Sequence, residues 1–257
     1  MRDTSARRQQ IVAMIQDRGS VQVIGLSAQF AVSTQTIRKD LLYLEERGVA
    51  TRCYGGAISS QSVGIIAETA VEAKRSLRAS EKERIGRAAA ALVRPGDSII
   101  LDSGTTTAQI ARFLPDSEDI IVVTNDAEVL AQLMTKEHIQ IVVLGGALRR
   151  KNMAFYGAQT EAALDGLHVD KLFLGVDGLD LKKGITTHYE SEAILNRKMA
   201  SVADHVIAVS DSSKFGRICL HRIIGVDAVD LLITDAAAPA DFVSASEAQG
   251  CKVMVAR

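Results

Sequence analysis

The chain contains no apolar run approaching the roughly 18–20 residues that a membrane helix needs. Its polar, basic stretch Arg2 to Gln10 lacks the apolar segment of a signal peptide. These absences lead to the expectation of a cytoplasmic protein. Cysteines are few: three, at positions 53, 219 and 251, an odd number without paired spacing. They suggest neither a disulfide framework nor a zinc site and read as reduced packing residues. The five histidines, His138, His168, His188, His205 and His221, show no ligand spacing with carboxylates or cysteines, so no metal is expected. There is no repeat of 20–50 residues and no low-complexity tract.

What is present is a chain of 257 residues, 47% of them hydrophobic, enough to bury one large core and a small satellite. The formal net charge of −1 hides an asymmetry: residues 1–60 hold eight Lys/Arg against five Asp/Glu, giving +3 and leaving −4 for residues 61–257. Positive charge concentrated at one end marks where a polyanion would bind.

That end carries a reader. Ser33-Thr34-Gln35-Thr36-Ile37-Arg38-Lys39-Asp40-Leu41 offers a serine cap, short polar side chains and two adjacent cations. Ile37, Leu41 and Leu44 recur at helical spacing and face a core, so Gln35, Thr36, Arg38 and Lys39 project outward. Val21 to Phe30 reads as a preceding short helix and Ala31-Val32 as a tight turn. An amphipathic segment from Ala6 to Arg18, with Ile11, Met14 and Ile15 on one face, completes a three-helix core. Val49 to Gly56 reads as a hairpin wing that brings Arg52 and Tyr54 near a duplex backbone. A small helical interaction domain would share the spacing, but not the agreement of cap, turn, basic pair and wing. Gln35, Thr36 and Arg38 are expected at base edges, and Lys39, Arg52, Arg8 and Ser33 at phosphates.

These residues resemble the N-terminal signature of the DeoR-type bacterial transcriptional regulators. That signature runs from an arginine and two spaced aliphatics, across about seventeen residues, to a small residue, a threonine, an aliphatic, a basic pair, an aspartate and an aliphatic. Arg7, Ile11, Ile15, Ser33, Thr36, Ile37, Arg38, Lys39, Asp40 and Leu41 fill those places.

From Ser59 to Arg78 the periodicity weakens, and the stretch reads as a linker with room for a short helix. A helix is expected over Ser80 to Val93. Buried strands are expected at Ser98 to Leu101, Ile120 to Val123, Ile139 to Leu144, Lys171 to Val176, Val206 to Val209, Leu231 to Thr234 and Val253 to Val255. Short aliphatic runs between helical segments predict a mainly parallel α/β sheet covered on both faces. The expected organisation is a winged helix-turn-helix over 1–58, a linker over 59–78 and an α/β sensor domain over 79–257.

Ligands of such sheets bind beyond the carboxyl ends of the strands. There Asp102-Ser103-Gly104-Thr105-Thr106-Thr107 precedes a helix and offers hydroxyls and free amides to an anion. No Gly-Lys-Ser/Thr follows, so it is not a Walker loop. A capped turn without a ligand is the alternative for this loop taken alone. Other strand ends carry Thr124-Asn125, Gly145-Gly146 with Arg149 and Arg150 nearby, Gly175 to Gly178, and Asp211 to Phe215. Together they suit one polyol phosphate, with the 103–107 loop and Lys214 at the phosphate and Asp102, Asn125 and Asp177 at hydroxyls.

The resemblance extends to the sensor domain of the same family, whose fold is related to ribose-5-phosphate isomerase and which responds to phosphorylated sugars or sugar-acid intermediates. It implies Ser103, Thr105, Thr106 and Lys214 as effector contacts. Leu174-Gly175-Val176-Asp177 together with Gly184 to His188 and Glu190 looks most like the amino-sugar/galactitol (N-acetylgalactosamine repressor-like) subgroup. The implied protein is a repressor of a carbohydrate catabolic operon, released by a phosphorylated sugar. It would bind double-stranded operator DNA as a homo-oligomer, dimer or tetramer, without a cofactor. The competing reading is a sugar-phosphate isomerase-like enzyme, with Asp177, Asp180, Lys183, Glu190 and Glu192 as candidate proton-transfer groups. The glycine run beside the isomerase lysine is missing, with only Gly184 after Lys182-Lys183, and an enzyme has no use for the N-terminal reader.

Overall fold

The computed structural model describes residues 4–18, 20–47, 49–53, 56–59, 71–116 and 119–257. The N-terminal unit comprises α1 (Thr4–Arg18), β1 (Ser20–Gln22), α2 (Val23–Phe30), α3 (Thr34–Glu46), β2 (Ala50–Cys53) and β3 (Gly56–Ser59). Ile11 and Ile15 of α1, Val23 and Leu26 of α2, and Ile37, Leu41 and Leu44 of α3 close one core with Ala50 and Ala57. Ala31 takes a left-handed conformation (φ 48°), which ends α2 and lets α3 start at once. The Ser27 hydroxyl ties this turn by donating to the Val32 carbonyl at 2.6 Å.

One local expectation is corrected. Val21 and Gln22 do not open a helix: they pair with Ala57 and Gly56 in an antiparallel strand, making the wing a three-stranded sheet of order β1-β3-β2. The approach is close enough that a Cβ on Gly56 would lie 2.0 Å from the Val21 carbonyl oxygen. Side-chain pattern alone cannot separate two strand residues from a first helical turn, because the pairing partners, Ala57 and Gly56, are remote in the chain.

Of the stretch read as a linker, the described part forms α4 (Val71–Ser76), docked on the α/β domain. The Val71 amide donates to the Lys151 carbonyl at 3.0 Å, and the Arg75 guanidinium pairs with Glu128 at 2.9 Å. Arg78, also left-handed (φ 54°), turns the chain into α5 (Ala79–Ala90).

The α/β domain is built on β4 (Ser98–Leu101), β5 (Ile121–Thr124), β6 (Gln140–Val143), β9 (Val169–Gly175), β12 (Ala203–Val209), β14 (Leu231–Asp235) and β15 (Lys252–Ala256). They form one sheet of order β15-β14-β12-β9-β4-β5-β6, parallel throughout. Each strand feeds both faces by its period of two. Ile99, Leu101, Phe173, Ile207 and Val209 pack on one side, against α5, α6 (Thr105–Phe113) and α7 (Ala127–Leu133). Ile100, Leu172, Leu174, Val206 and Ala208 pack on the other, toward α9 (Glu190–Ser201) and α10 (Ala240–Glu247). A hairpin of β7 (Ala147–Arg149) and β8 (Ala154–Tyr156), the short α8 (Ala158–Ala162), and an antiparallel sheet of β10 (Gly178–Asp180), β11 (Gly184–Thr187) and β13 (His221–Arg222) complete the domain. Among the described residues no helix is long and apolar enough to cross a membrane.

The strand order places the site. From β4 the chain moves outward through α6 to β5 and β6, then returns to lay β9 on the other side of β4 and continues to β12, β14 and β15. The connections leaving β4 and β9 therefore diverge to opposite faces, and a crevice opens between their carboxyl ends.

Candidate functional site

The recognition helix α3 begins as its sequence predicts. Ser33 Oγ accepts from the Thr36 amide at 3.1 Å and meets the Thr36 hydroxyl at 2.9 Å. Gln35, Arg38 and Lys39 are exposed, while Ile37 and Leu41 are buried. Arg8 stands apart from this array. Its Nε donates to Asp40 Oδ1 at 2.7 Å and its guanidinium lies 3.8 Å from the centre of the Tyr43 ring, so it braces α1 against α3. Arg52 sits in β2, paired with Ala57, and Tyr54 lies outside the described residues.

The crevice between β4 and β9 holds a cavity of about 220 Å³. Ser103, Gly104, Thr105, Thr106, Asp177 and Lys214 line it, as the sequence suggests. Gly104 opens α6 at φ 148°, and no side chain caps the helix, so the first-turn amides and the positive end of the helix dipole face the crevice. Asp126 fixes the loop: one carboxylate oxygen caps α7 and the other accepts from the Gly104 amide at 3.1 Å. Burial pushes this carboxyl up to about 6. Across the crevice, Asp235 accepts from the Ser212 amide at 2.7 Å and from its hydroxyl at 3.0 Å, which holds the turn Ser212–Lys214 in place.

The wall carries both signs of charge. Lys214 and Arg217 line it, and burial lowers the Lys214 pKa against the opposing pull of Asp177. Arg217 Nε is buried with no hydrogen-bond partner among the described residues, as is Asn152 Oδ1, also of the lining. Orphaned polar atoms of this kind are costly unless something else meets them. Asp177 and Glu192 line the same cavity. Burial raises Asp177, but Lys74 and Lys214 outweigh it and hold the carboxyl at about 2. Glu192 is driven well above the usual range by burial and by the negative charges of Asp177 and Asp102. Lys82 is brought down to about 8 by burial and donates to the Lys74 carbonyl.

Several expected contacts stand elsewhere. Asp102 is 1% exposed and lies beneath the cavity, where Oδ2 accepts from the Gly175 amide at 3.2 Å and from Asn196 at 3.1 Å; burial pushes it up to about 7. Thr107 turns inward to the Gly104 carbonyl at 2.8 Å, and Asn125 donates to the Phe155 carbonyl at 3.1 Å. The Gly145 carbonyl accepts from Thr160 at 2.5 Å. Arg149 stacks on Tyr189 at 4.3 Å. Glu190 is exposed at the start of α9, and Glu192, half a turn on, takes the place on the wall. The helical phase decides this: residues two apart point to different sides of a helix. Lys74, Arg78, Lys82, Asn152, His188 and Arg217 also line the cavity and escaped the effector reading of the strand-end loops. Cys219 and Cys251 are free and buried, and burial raises the Cys219 thiol to about 12.

A capped, basic recognition helix joined to a sheet domain with a charged strand-end cavity defines a DNA-binding transcriptional regulator with a small-molecule sensor domain. Residues 7–63 match the DeoR-like helix-turn-helix domain and residues 77–236 the DeoR C terminal sensor domain. The chain is 45% identical, over 98% of its length and 94% of the relative's, to the "Putative aga operon transcriptional repressor" of Escherichia coli O157:H7. It is 32% identical, over 91% of both chains, to the glycerol-3-phosphate regulon repressor of Escherichia coli K12. The solved ribose 5-phosphate isomerase A of Methanocaldococcus jannaschii is similar over 52% of this chain and 53% of its own, at 20% identity and a TM-score of 0.39. The chain belongs to the DeoR family of transcriptional regulators.

Proposed function

We propose that the protein represses a carbohydrate catabolic operon and that a phosphorylated amino sugar or polyol, seated in the β4/β9 crevice, releases it from its operator. The observation that carries this reading is one cavity lined both by anion-binding groups and by buried carboxylates. The uncapped start of α6, Lys214 and Arg217 suit a phosphate, while Asp177 and Glu192 suit hydroxyl or amine groups. One relative's name, the glycerol-3-phosphate regulon repressor, carries a phosphorylated polyol, the class of ligand proposed here.

On the DNA side, Gln35, Thr36 and Arg38 read base edges, while Lys39, Ser33 and Arg52 hold phosphates. Arg8 serves chiefly as a brace. One recognition helix spans too few base pairs for a useful specificity ratio, so at least two copies act on repeated half-sites.

A thermal-shift screen with hexose, pentose, amino-sugar and polyol phosphates, and the unphosphorylated sugars as controls, tests the effector reading. One phosphate is expected to raise the melting temperature by several degrees, since ligand at 100 times its Kd adds about 2.7 kcal/mol. Lys214→Ala should abolish that shift and leave DNA binding intact. A shift caused equally by the unphosphorylated sugar, or none from any phosphate, would refute the reading.

A further inference from the structure

The helix α4 belongs to the segment that leads from the DNA reader, yet Val71 and Lys74 form part of the cavity wall. Lys74 Nζ donates to Asp177 Oδ1 at 2.6 Å, in a pair whose side chains are 21% and 13% exposed. Asp177 follows β9 at the point where the strand order reverses and lines the crevice. The same ammonium also acts on Glu192, opposing the rise in its pKa. Lys82 of α5 holds the Lys74 backbone carbonyl, so Lys74 fastens α4 to the sensor domain through both its side chain and its main chain, beside the Val71–Lys151 and Arg75–Glu128 contacts.

This arrangement puts two groups in competition. A ligand hydroxyl or amine that takes Asp177 Oδ1 competes for the oxygen that Lys74 engages. We propose that Lys74 is the residue through which the cavity acts on the DNA reader: a ligand that takes Asp177 displaces the ammonium, loosens α4 from the sensor domain and thereby weakens operator binding. The proposal rests on the reading of this cavity as the effector site and adds how occupancy leaves it. The ligand favours the undocked state because Asp177 Oδ1 is released to it there, which is the differential affinity that any ligand-driven shift requires. Linkage then demands that operator DNA weaken ligand binding by the same factor by which ligand weakens DNA binding.

The device makes an unusual prediction for Lys74→Gln in the full-length protein. Losing the competitor should tighten binding of the phosphate found in the thermal-shift screen, while operator affinity falls toward that of the ligand-saturated wild type. Both changes should lie in the range of about 5–150-fold typical of such couplings, and the residual operator affinity should no longer respond to the phosphate. Hydrogen exchange over residues 71–78 should be faster than in the wild type, and Lys74→Arg should restore it. Asp177→Asn, which breaks the bond from the other side, should also speed exchange and weaken operator binding, which separates lost docking from a fault peculiar to the Lys74 variant.

A merely structural lysine would lower both affinities or neither. Weaker binding of the phosphate by Lys74→Gln would make Lys74 a direct ligand contact and overturn the proposal, as would unchanged exchange over 71–78. If no phosphate stabilises the wild-type protein, the effector reading fails. The docking lock then stands on faster exchange and weaker operator binding in the Lys74→Gln protein and falls if both are normal.

Discussion

Arg7 Nε donates to Asp40 Oδ2 at 2.7 Å, so two residues of the N-terminal signature, 33 positions apart, join α1 to the buried side of the recognition helix. Arg8 takes the other oxygen at 2.7 Å, and Asp40 keeps 2% exposure. This carboxylate fixes α3 against α1.

Asp40→Ala should accordingly destabilise the N-terminal unit by about 2–3 kcal/mol. That is less than the roughly 3–5 kcal/mol lost when a fully buried pair is broken, because the Arg8 side chain retains 25% exposure. Hydrogen exchange of the α1 and α3 amides reads the opening of this unit by itself. Protection equal to wild type would show that the two arginines find solvent at no cost.

The exposed cations of α3 should separate by role. Arg38→Ala is expected to cost about 1–3 kcal/mol on the preferred sequence and to relax discrimination among sequences. Lys39→Ala should weaken all sequences alike and lower the salt slope by about one. Fluorescence anisotropy on matched and mismatched duplexes at several salt concentrations measures both. Uniform loss on every sequence for both variants would place Arg38 at a phosphate.

The buried carboxyls under the cavity make stability depend on pH. Asp102 is pushed by burial from an ordinary 3.8 up to about 7. Between those values the folded state keeps a proton that the unfolded chain has lost, so stability falls as pH rises through the window and levels off above it. Asp126, raised to about 6, and Glu192, raised well above 4.5, act in the same direction. Asp177, held at about 2 against an ordinary 3.8, adds stability that is lost only as pH falls through that lower window. Urea midpoints of wild type and Asp102→Asn between pH 5 and 8 should therefore move apart in favour of the variant as pH rises. Parallel curves would mean that Asp102 is ionised throughout that range.

Much of the architecture was legible because it is local. The Ser33 cap, the Ile37/Leu41/Leu44 spacing and the seven aliphatic runs each need only a few consecutive residues to declare themselves, and all seven runs became strands of the parallel sheet. The glycine-hydroxyl loop after β4 was equally plain, since a strand, a glycine and a helix start are neighbours in the chain. Val21 and Gln22 were misread as helix because their partner strand β3 is remote.

The sequence by itself determined the reader, the strands and the one loop that opens the site, since hydrogen-bonding caps and hydrophobic period act within a turn or a strand. Only the tertiary structure decided which charges share the cavity. It drew Arg149 onto Tyr189 and Arg8 onto Asp40, chose Glu192 over Glu190 by helical phase, and brought Lys74 from the segment beyond the reader to Asp177, 103 positions away. Such pairings depend on strand order and on the angle at which helices dock. Those are set by the whole core at once, and no short stretch of sequence carries them.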